Sequence, residues 1–557
     1  MRPALRRSLH LTVSLAVLSA ATAKAQIGVP SLPRTLAEGV VTVSGDSVDH
    51  LRMNELAGKA FAEGLLLRST STLTDSRRLG MAPRRFSIVF PHIMYVSNTE
   101  LPFGQNDGAL WAGIGSNVRA LAGFTVSAGP VRLVAIPELA YSSNNRLSID
   151  PANPRFVPQP NLIAGRNHFS LPWNQFPYSI DLPWRFGADP IKKVYPGQSS
   201  LTVVAGPVEA GVATENEWWG PALRNPIVMS DNAAGFPHAL LRTSHSVSTI
   251  LGRLDARWII GSLKESGFFD SDSTDNTRSL SAIALTWKRN AESGLTLGLT
   301  RSVFSSLSHN ENPFGHLFDA FKGVGHPDAR SLLDHTMTPG SDQIMSLFAR
   351  WALPIYGLES YMEWGRADFP VSIRDFLIQP NHSRAYTVGT QWVKDIGTTE
   401  RVRLQGEVTN EEQTGSYRFR PVGSFYTSRS VIQGYTNYGQ LIGSGIGPGS
   451  SSQWIAGDYF RDGWQGGVTL GRTRFDNDSY FLLPFEVSFA NQCAHDVTFY
   501  PGLRGGYANG YFRLRVDYTH ANRYNTFFQN RVSCAKGGDG SDRVNKNLTV
   551  TLSTFGW

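Results

Sequence analysis

Residues 401–409, Arg-Val-Arg-Leu-Gln-Gly-Glu-Val-Thr, alternate polar side chains with apolar ones. A period of two residues is the pattern of a β-strand with two different faces. The same alternation recurs at 253–260 and 511–519. Val402, Leu404 and Val408 share one face of the first strand, and the other face carries Arg401, Arg403, Gln405, Glu407 and Thr409. The chain therefore contains strands with one apolar face and one charged face.

Charged strand faces fit two classes of β-protein. In a water-soluble sandwich the charged face meets bulk water, whereas in an outer-membrane barrel it lines a wet lumen and the apolar face meets lipid. Charged residues make up only 17% of the chain, beside 54 Gly, 31 Phe, 18 Tyr and 13 Trp, which is typical of membrane barrels and also of large secreted β-proteins. An open sheet in lipid would leave its edge groups without partners, so the membrane interpretation requires closure.

The membrane interpretation predicts an all-β fold, a large closed antiparallel transmembrane barrel. It spans residues 84–557, and roughly 25 to 30 residues per strand and loop give about 16 to 18 strands. It requires Arg513 and Arg515 to face the watery interior, because an unpaired cation in hydrocarbon is costly.

The first 25 residues have the features of a secretory signal peptide. Arg2, Arg6 and Arg7 precede a short apolar run, and Ala23-Lys24-Ala25 is a small-residue cleavage pattern. Removing these three arginines and Lys24 lowers the net charge from +7 to +3. A nearly neutral mature chain does not indicate a nucleic-acid partner. The predicted location is the Gram-negative outer membrane.

Residues 26–83 differ from the rest and are predicted to be a helical segment on the periplasmic side. Asp46 or Ser47 can cap a helix running from about Val48 to Leu67. The Ser/Thr tract at 69–74 follows as a predicted linker.

Loop lengths predict which end of the barrel faces outward. Asn509-Gly510 is a tight-turn sequence, and short turns of outer-membrane barrels lie on the periplasmic side. The stretches flanking that hairpin then lie outside the cell, and they contain Cys493 and Cys534. In an oxidising compartment these two residues favour a disulfide, with two free thiols as the alternative. No cysteine or histidine spacing indicates a metal site, and no cofactor is predicted.

The stretch 215–238 fits neither the helix nor the strand period: Glu-Asn-Glu-Trp-Trp-Gly-Pro-Ala-Leu-Arg-Asn-Pro-Ile-Val-Met-Ser-Asp-Asn-Ala-Ala-Gly-Phe-Pro-His. Its glycines and prolines interrupt regular structure. Trp218 and Trp219 are too large and apolar to be fully exposed to water, so the stretch is expected to pack inside a larger structure.

This stretch resembles the Trp-Trp-Gly-Pro…Ser-(Asp/Asn)-Asn-Ala…Pro signature of the Wzi family of capsule-assembly outer-membrane proteins. Residues 106–117, 361–368 and 434–440 add shorter similarities. The resemblance implies a wide outer-membrane barrel with an N-terminal helical part. It also implies a protein that holds or organises capsular polysaccharide at the cell surface.

Sugar binding needs aromatic rings to stack on pyranose faces, with carboxylates, amides or arginine to bind the hydroxyl groups. The predicted polysaccharide-binding residues are Trp218, Trp219, Glu215, Glu217, Asn225, Asn232, Glu363 and Arg366. The alternative is that these side chains form a buried polar network that fixes the barrel interior.

Three functions remain open from the residues. The first is a non-enzymatic polysaccharide-binding protein, the second an outer-membrane porin or transport channel, and the third a glycan-modifying enzyme using Glu215 and Glu217. The expected partners are capsular or other surface polysaccharide, outer-membrane lipids, the barrel-assembly machinery and a polysaccharide export complex, with the protein itself a monomer.

Overall fold

The computed structural model describes most of the chain outside its first 41 residues. The described residues are 42–59, 64–75, 85–149, 167, 169–170, 178–291, 293–307, 311–323, 340–370, 372–415, 420, 422–482, 495–529 and 541–554. Residues 1–25, Cys493, Cys534 and the last three residues lie outside these ranges, so the predictions of a signal peptide and a disulfide stay predictions.

Strands dominate the described chain. The helices are α1 (Asp46–Leu56), α2 (Thr70–Leu73), α3 (Ile373–Ile378) and α4 (Asn477–Leu482). The strands of the first half are β1 (Leu67–Ser69), β2 (Phe86–Asn98), β3 (Gly115–Ala128), β4 (Val131–Ala135), β5 (Glu138–Ser142), β6 (Ile191–Tyr195), β7 (Ser200–Ala205), β8 (Val208–Ala213), β9 (Glu217–Trp219), β10 (His238–Thr243), β11 (Val247–Thr249), β12 (Gly252–Lys264) and β13 (Thr277–Lys288). Those of the second half are β14 (Leu295–Ser306), β15 (Ser341–Leu353), β16 (Leu358–Ala367), β17 (Arg384–Asp395), β18 (Glu400–Asn410), β19 (Thr436–Asn437), β20 (Gln440–Leu441), β21 (Ser451–Arg461), β22 (Trp464–Phe475), β23 (Asp496–Ala508), β24 (Phe512–Tyr524) and β25 (Arg543–Thr554).

The sheet closes on itself as an antiparallel barrel. Strand β2 pairs with β3 on one side and with the last strand, β25, on the other. Three positions around the barrel are interrupted strands: β4 with β5, β6 with β7, and β10 with β11. Counting each interrupted pair once gives an 18-strand barrel, which confirms the predicted fold and strand number.

The two faces of the strands have the predicted chemistry. On β18, Arg403 and Glu407 are 1% and 3% exposed, whereas Leu404 is 52% exposed on the outer face. On β24, Arg513 is buried and Arg515 pairs with Asp517 at 2.7 Å beside a cavity inside the barrel. The apolar residues that would be costly in water face outward, where hydrocarbon stabilises them.

The two ends of the barrel differ in loop length. Short turns such as 129–130, 206–207, 354–357, 462–463 and 509–511 lie at the end where β2 begins and β25 ends. Long connections, including those that follow β2, β18 and β24, begin and end at the other end. Outer-membrane barrels place short turns in the periplasm, so the long connections mark the external end.

The N-terminal segment lies inside the barrel at the end with short turns. Arg52 and Glu55 of α1 pair with Glu359 and Arg350 of the barrel wall at 2.6 and 2.8 Å. The predicted helix over 48–67 was too long, because α1 ends at Leu56. Gly58 has a φ of +68°, and the amide of Lys59 bonds back to the carbonyl of Asn54, a common helix end.

The Ser/Thr tract at 69–74 was predicted to be a linker, and this prediction was wrong. It forms the end of β1 and the short helix α2, and its residues 69–73 are buried. The Ser69 amide donates to the Thr72 hydroxyl at 2.9 Å, so short polar side chains satisfy the backbone of the turn. Among the described helices, none is long and apolar enough to cross a bilayer.

Candidate functional site

The first half of the 215–238 stretch is held inside the barrel by carboxylates. Glu215 is fully buried and accepts the backbone amide and hydroxyl of Ser71, both at 2.6 Å. Arg242 of β10 lies 3.4 Å from Glu215, and Arg257 of β12 pairs with Glu217. Buried charges need partners, and these carboxylates find them in the wall and in the N-terminal segment.

The two tryptophans are core residues of this internal region. Trp218 is 1% exposed, and the guanidinium carbon of Arg68 lies 4.5 Å from its ring centroid. Trp219 is fully buried, and its indole nitrogen donates to Glu217 at 2.9 Å. Strand β9, which contains both, pairs with β1 from the N-terminal segment. Two pieces of chain far apart in sequence therefore form one small sheet inside the lumen.

A large apolar cluster continues from this sheet to one side of the barrel wall, the strands from β8 to β17. It joins the internal connections to inward-facing residues of the wall, including Trp219, Ile227, Phe236, Phe304, Phe348, Tyr426 and Tyr435. We call residues 42–59, 64–75, 214–237 and 422–450 the plug. Among the described residues, the plug packs against the strands from β8 to β17 as a protein core.

One wall carboxylate anchors the middle of the plug. Glu407 accepts the backbone amides of Leu223 and Asn225 at 2.7 and 2.9 Å, and that of Arg224 at 3.2 Å. The hydroxyl of Tyr361 donates to the same carboxylate at 2.7 Å. The alternation of β18 predicted that Glu407 faces inward, but it carried no signal for this role, because the donors are backbone groups more than 180 residues away.

Asn225 and Asn232 both serve the plug. The side-chain oxygen of Asn225 accepts from Gln105, and its amide group donates to Glu407 at 3.3 Å. Asn232 donates to the carbonyl of Leu441 at 3.3 Å and accepts the amide of Asn106 at 3.4 Å. The two side chains thus connect separate long loops.

Beside them lies a charged group of the plug. Asp231 accepts from Ser44 at 2.6 Å and lies 3.5 Å from Arg119, which pairs with Glu138 at 2.6 Å. Burial raises the pKa of Asp231 to about 6, in spite of the nearby Arg119. Burial likewise raises the pKa of Asp107 to about 7.

Glu363 and Arg366 lie on opposite faces of β16. Glu363 faces inward and accepts from Ser346 at 2.7 Å. Arg366 shares the outward parity of exposed Met362, and it donates to the carbonyl of Gln379 at 3.1 Å beneath the ring of Phe376. The structure does not bring these two residues together.

The eight predicted sugar-binding residues therefore occupy three different settings. Six belong to the plug, one is a wall residue touching the plug, and one is covered on the outer face. Seven of them are at most 5% exposed. The geometry supports the buried-network interpretation for them, and direct contact with sugar stays a prediction.

Among the described residues, cavities that offer space for a ligand include the following three. One of about 250 Å³ lies inside the barrel beside Arg119, Arg224, Trp454 and Arg515. One of about 320 Å³ lies between α1 and the short turns. The third, about 120 Å³, lies at the external end among the long connections. A polymer on the cell surface meets the external end first.

The external cavity combines aromatic rings with charged groups, and we call it the external cleft. It is lined by Ile180, Leu182, Phe475, Asp476, Asp496, Arg523, Phe527 and Phe528, among others. The guanidinium carbon of Arg523 lies 4.4 Å from the Phe475 ring centroid and 4.8 Å from that of Phe527. Asp496 pairs with Arg523 at 2.6 Å.

The backbone at this cleft is strained. Phe527 and Phe528 have φ values of 56° and 57°, in the left-handed region that bulky residues rarely occupy. Such strain persists only where the surroundings hold it, and it is frequent at binding sites. Little in the sequence indicated this cleft, because these residues lie in an irregular stretch without helical or strand periodicity.

Comparison with known proteins gives one family and several similar folds. Residues 192–463 match the sequence profile of the family described as capsule assembly protein Wzi. The fold is similar to that of Wzi from Escherichia coli, described as an outer membrane protein involved in group 1 capsule assembly and a carbohydrate binding β-barrel. The identity is 11%, over 93% of this chain and 95% of that chain, with a TM-score of 0.51.

Two other barrels are less similar. OccK2 (OpdF) of Pseudomonas aeruginosa is 10% identical over 84% of this chain and 97% of its own, with a TM-score of 0.38. OccAB4 of Acinetobacter baumannii is 11% identical over 84% and 97%, with a TM-score of 0.37. No curated protein sequence matches the chain.

Proposed function

Because the chain belongs to the Wzi family of capsule assembly proteins, we propose that it binds polysaccharide at the outer surface of the outer membrane. The protein would hold exported capsular or related polysaccharide without covalent chemistry. The observation that carries this proposal is a barrel whose lumen contains a packed plug, with a cleft of aromatic and charged side chains at its external end.

The plug argues against the porin alternative. A general channel needs a continuous aqueous path, whereas the plug occupies the lumen and packs against the strands from β8 to β17 through a core that includes Trp219, Ile227, Tyr426 and Phe348. The charged inner faces are used for anchoring the plug, as Arg257 and Glu407 illustrate. Inward charges therefore need no transport function to account for them.

The external cleft has the two kinds of group that sugars require. Phe475 and Phe527 supply apolar faces, and Arg523 with Asp496 supplies hydrogen-bonding groups beside them. Burial raises the pKa of the nearby Asp476 carboxyl to about 7. Such a group can donate as well as accept a hydrogen bond near neutral pH, which suits a sugar hydroxyl.

A binding assay with matched variants tests the proposal. The purified protein is measured against the host's surface polysaccharides, with Phe475→Ala and Phe527→Ala as test variants and Phe86→Ala as the control. Phe86 is an exposed aromatic residue at the opposite end of the wall. We expect saturable binding that falls several-fold in the test variants and is unchanged in the control. Absence of binding to every polysaccharide of the host would refute the proposed function.

A non-enzymatic role is part of the proposal. Glu215 and Glu217, the candidate catalytic pair, are buried and paired with arginines. Their two carboxyl groups therefore do not flank a space for a sugar, as hydrolysis would require. Turnover of a glycan that Glu215→Gln or Glu217→Gln abolishes would contradict it. The barrel-assembly machinery, a polysaccharide export complex, a monomeric state and the placement of the N-terminal segment over 26–83 at the periplasmic side remain predicted parts of the same proposal.

A further inference from the structure

Two external connections fold down over the outside of the barrel instead of into its lumen. The first flap is residues 311–323, between β14 and β15, and the second flap is residues 372–382, between β16 and β17. The carbonyl of Leu317 accepts from Trp258 at 3.2 Å and from Ser281 at 2.8 Å. Ser281 shares the parity of exposed Leu285, so it lies on the outer face.

The flaps cover two arginines, Arg301 and Arg366, of a row on that outer face. The strand register places Arg301, Met345, Arg366 and Arg384 side by side across β14 to β17. Arg301 donates to the carbonyls of Ala320 and Gly323 in the first flap, both at 3.1 Å. Arg366 donates to Gln379 of the second flap, as described above. The flaps thus satisfy charges that would otherwise face lipid.

The outer surface of both flaps is apolar. Phe314, Phe318 and Phe321 of the first flap are 57%, 60% and 56% exposed. In the second flap, Ile373, Leu377 and Ile378 are 69%, 70% and 66% exposed. Large apolar side chains at this density on two adjacent loops indicate an interaction surface.

The position of this surface indicates which partner covers it. It continues the lipid-facing wall without a break, since Leu297, Leu347 and Met362 are exposed below it on the same strands. Lys322, which pairs with the buried Asp319 at 2.6 Å, and Arg374 are exposed on the flaps beside the apolar residues. Apolar side chains with cations at the edge match acyl chains beneath anionic headgroups.

We propose that the two flaps anchor one side of the barrel in the outer leaflet of the membrane. The phenylalanines of the first flap and the aliphatic residues of the second flap contact acyl chains. Lys322 and Arg374 contact the phosphates of anionic lipid headgroups. The flaps would fix the rotation and tilt of the barrel, and with it the direction in which the external cleft faces.

Site-directed nitroxide labelling in vesicles tests this anchor. Phe318→Cys and Leu377→Cys are labelled in full-length protein reconstituted in phosphatidylethanolamine–phosphatidylglycerol vesicles. Leu347→Cys serves as a control on the lipid-facing wall and Ser273→Cys as a control on an exposed external loop. Unsubstituted protein gives the background from the native cysteines. The measured quantity is the ratio of the label's accessibility to oxygen to its accessibility to a water-soluble nickel chelate. This ratio should be several-fold higher for labels at positions 318 and 377 than for the label at position 273, and similar to the ratio at position 347.

Three results would contradict the membrane anchor or its headgroup contact. An aqueous ratio at 318 and 377, equal to that at 273, overturns the anchor. Spin–spin broadening at 318 that disappears on dilution with lipid overturns it in favour of a second copy of the chain. Lys322→Glu combined with Arg374→Glu should lower the oxygen preference at 318 in phosphatidylglycerol vesicles and not in phosphatidylcholine vesicles. The same change in both lipids overturns the headgroup contact.

Discussion

Replacing Glu407 with glutamine should loosen the plug without changing the barrel. The carboxylate accepts three consecutive backbone amides, those of residues 223–225, together with the hydroxyl of Tyr361. A glutamine keeps one acceptor oxygen, but its amide nitrogen is a donor that would face other donors. At least two of these hydrogen bonds to the carboxylate are then lost.

The size of the effect follows from those contacts. Hydrogen bonds to a charged group contribute about 1.5–3 kcal/mol each, so the gross loss is about 3–6 kcal/mol. Removing a buried charge recovers part of this, because the ionised group was costly to bury, and we expect a net loss of about 3 kcal/mol. At about 1.4 kcal/mol per factor of ten, the population with residues 223–225 detached from the wall should rise about 100-fold.

Hydrogen exchange measures this population directly. Peptides covering residues 218–230 should exchange about 100-fold faster in Glu407→Gln, while peptides from the barrel strands keep their protection. Glu400→Gln is the matched control, since it makes the same change on the same strand at a partly exposed site near the short turns. Unchanged exchange over 218–230 would refute the anchoring role that the hydrogen bonds indicate.

The remaining predictions concern the tryptophans, pH and conductance. Trp219→Phe should lower the free energy of unfolding by about 1–3 kcal/mol more than Trp218→Phe, because Trp219 donates to Glu217, whereas the Trp218 indole nitrogen has no hydrogen-bond partner among the described residues. Equal losses in chemical denaturation would contradict this. The raised pKa values of Asp231 (about 6) and Asp107 (about 7) mean that both carboxyls bind protons more readily in the fold than at their usual 3.8. Their contribution to stability should decline as pH rises from about 4 to about 7, and exchange protection of residues 42–59 should show it, with a flatter profile in Asp107→Asn. A profile as steep as that of the wild type would exclude Asp107 as a cause. In planar bilayers the protein should conduct far less than an open porin, and Glu407→Gln should add brief openings; a large steady pore in the wild type would support the transport alternative.

Several features of the fold could be predicted from local pattern. The period of two along 401–409 and 511–519 assigned Arg403, Glu407 and Arg513 to the interior and Leu404 to the lipid face. It succeeds because side chains alternate strictly between the faces of a strand, whatever the partner strand is. The breakers and large aromatic residues of 215–238 likewise predicted a packed internal stretch, and Trp218 and Trp219 are buried there.

The partners of those residues could not be predicted in this way. Parity placed Glu363 and Arg366 on opposite faces of one strand, yet both were predicted to belong to one sugar-binding site. The length of α1 was also missed. So was the buried state of residues 69–73, because hydroxyl-rich segments form linkers or packed turns according to what surrounds them.

The sequence by itself determined that the strands have one apolar face and one charged face, because alternation is a property of neighbouring residues. Closure into a barrel, with the apolar faces outside and the charged faces inside, is established by the pairing of the first wall strand with the last. Only the tertiary structure decided what the inner charges do. Arg242, Arg257 and Glu407 meet groups from distant parts of the chain, and they hold a plug in place instead of lining a pore. The same holds for the outer arginines, whose partners are loops that fold back over the wall. Contacts of this kind depend on the way in which long loops fold back in space. The local alternation of residues contains no information about that.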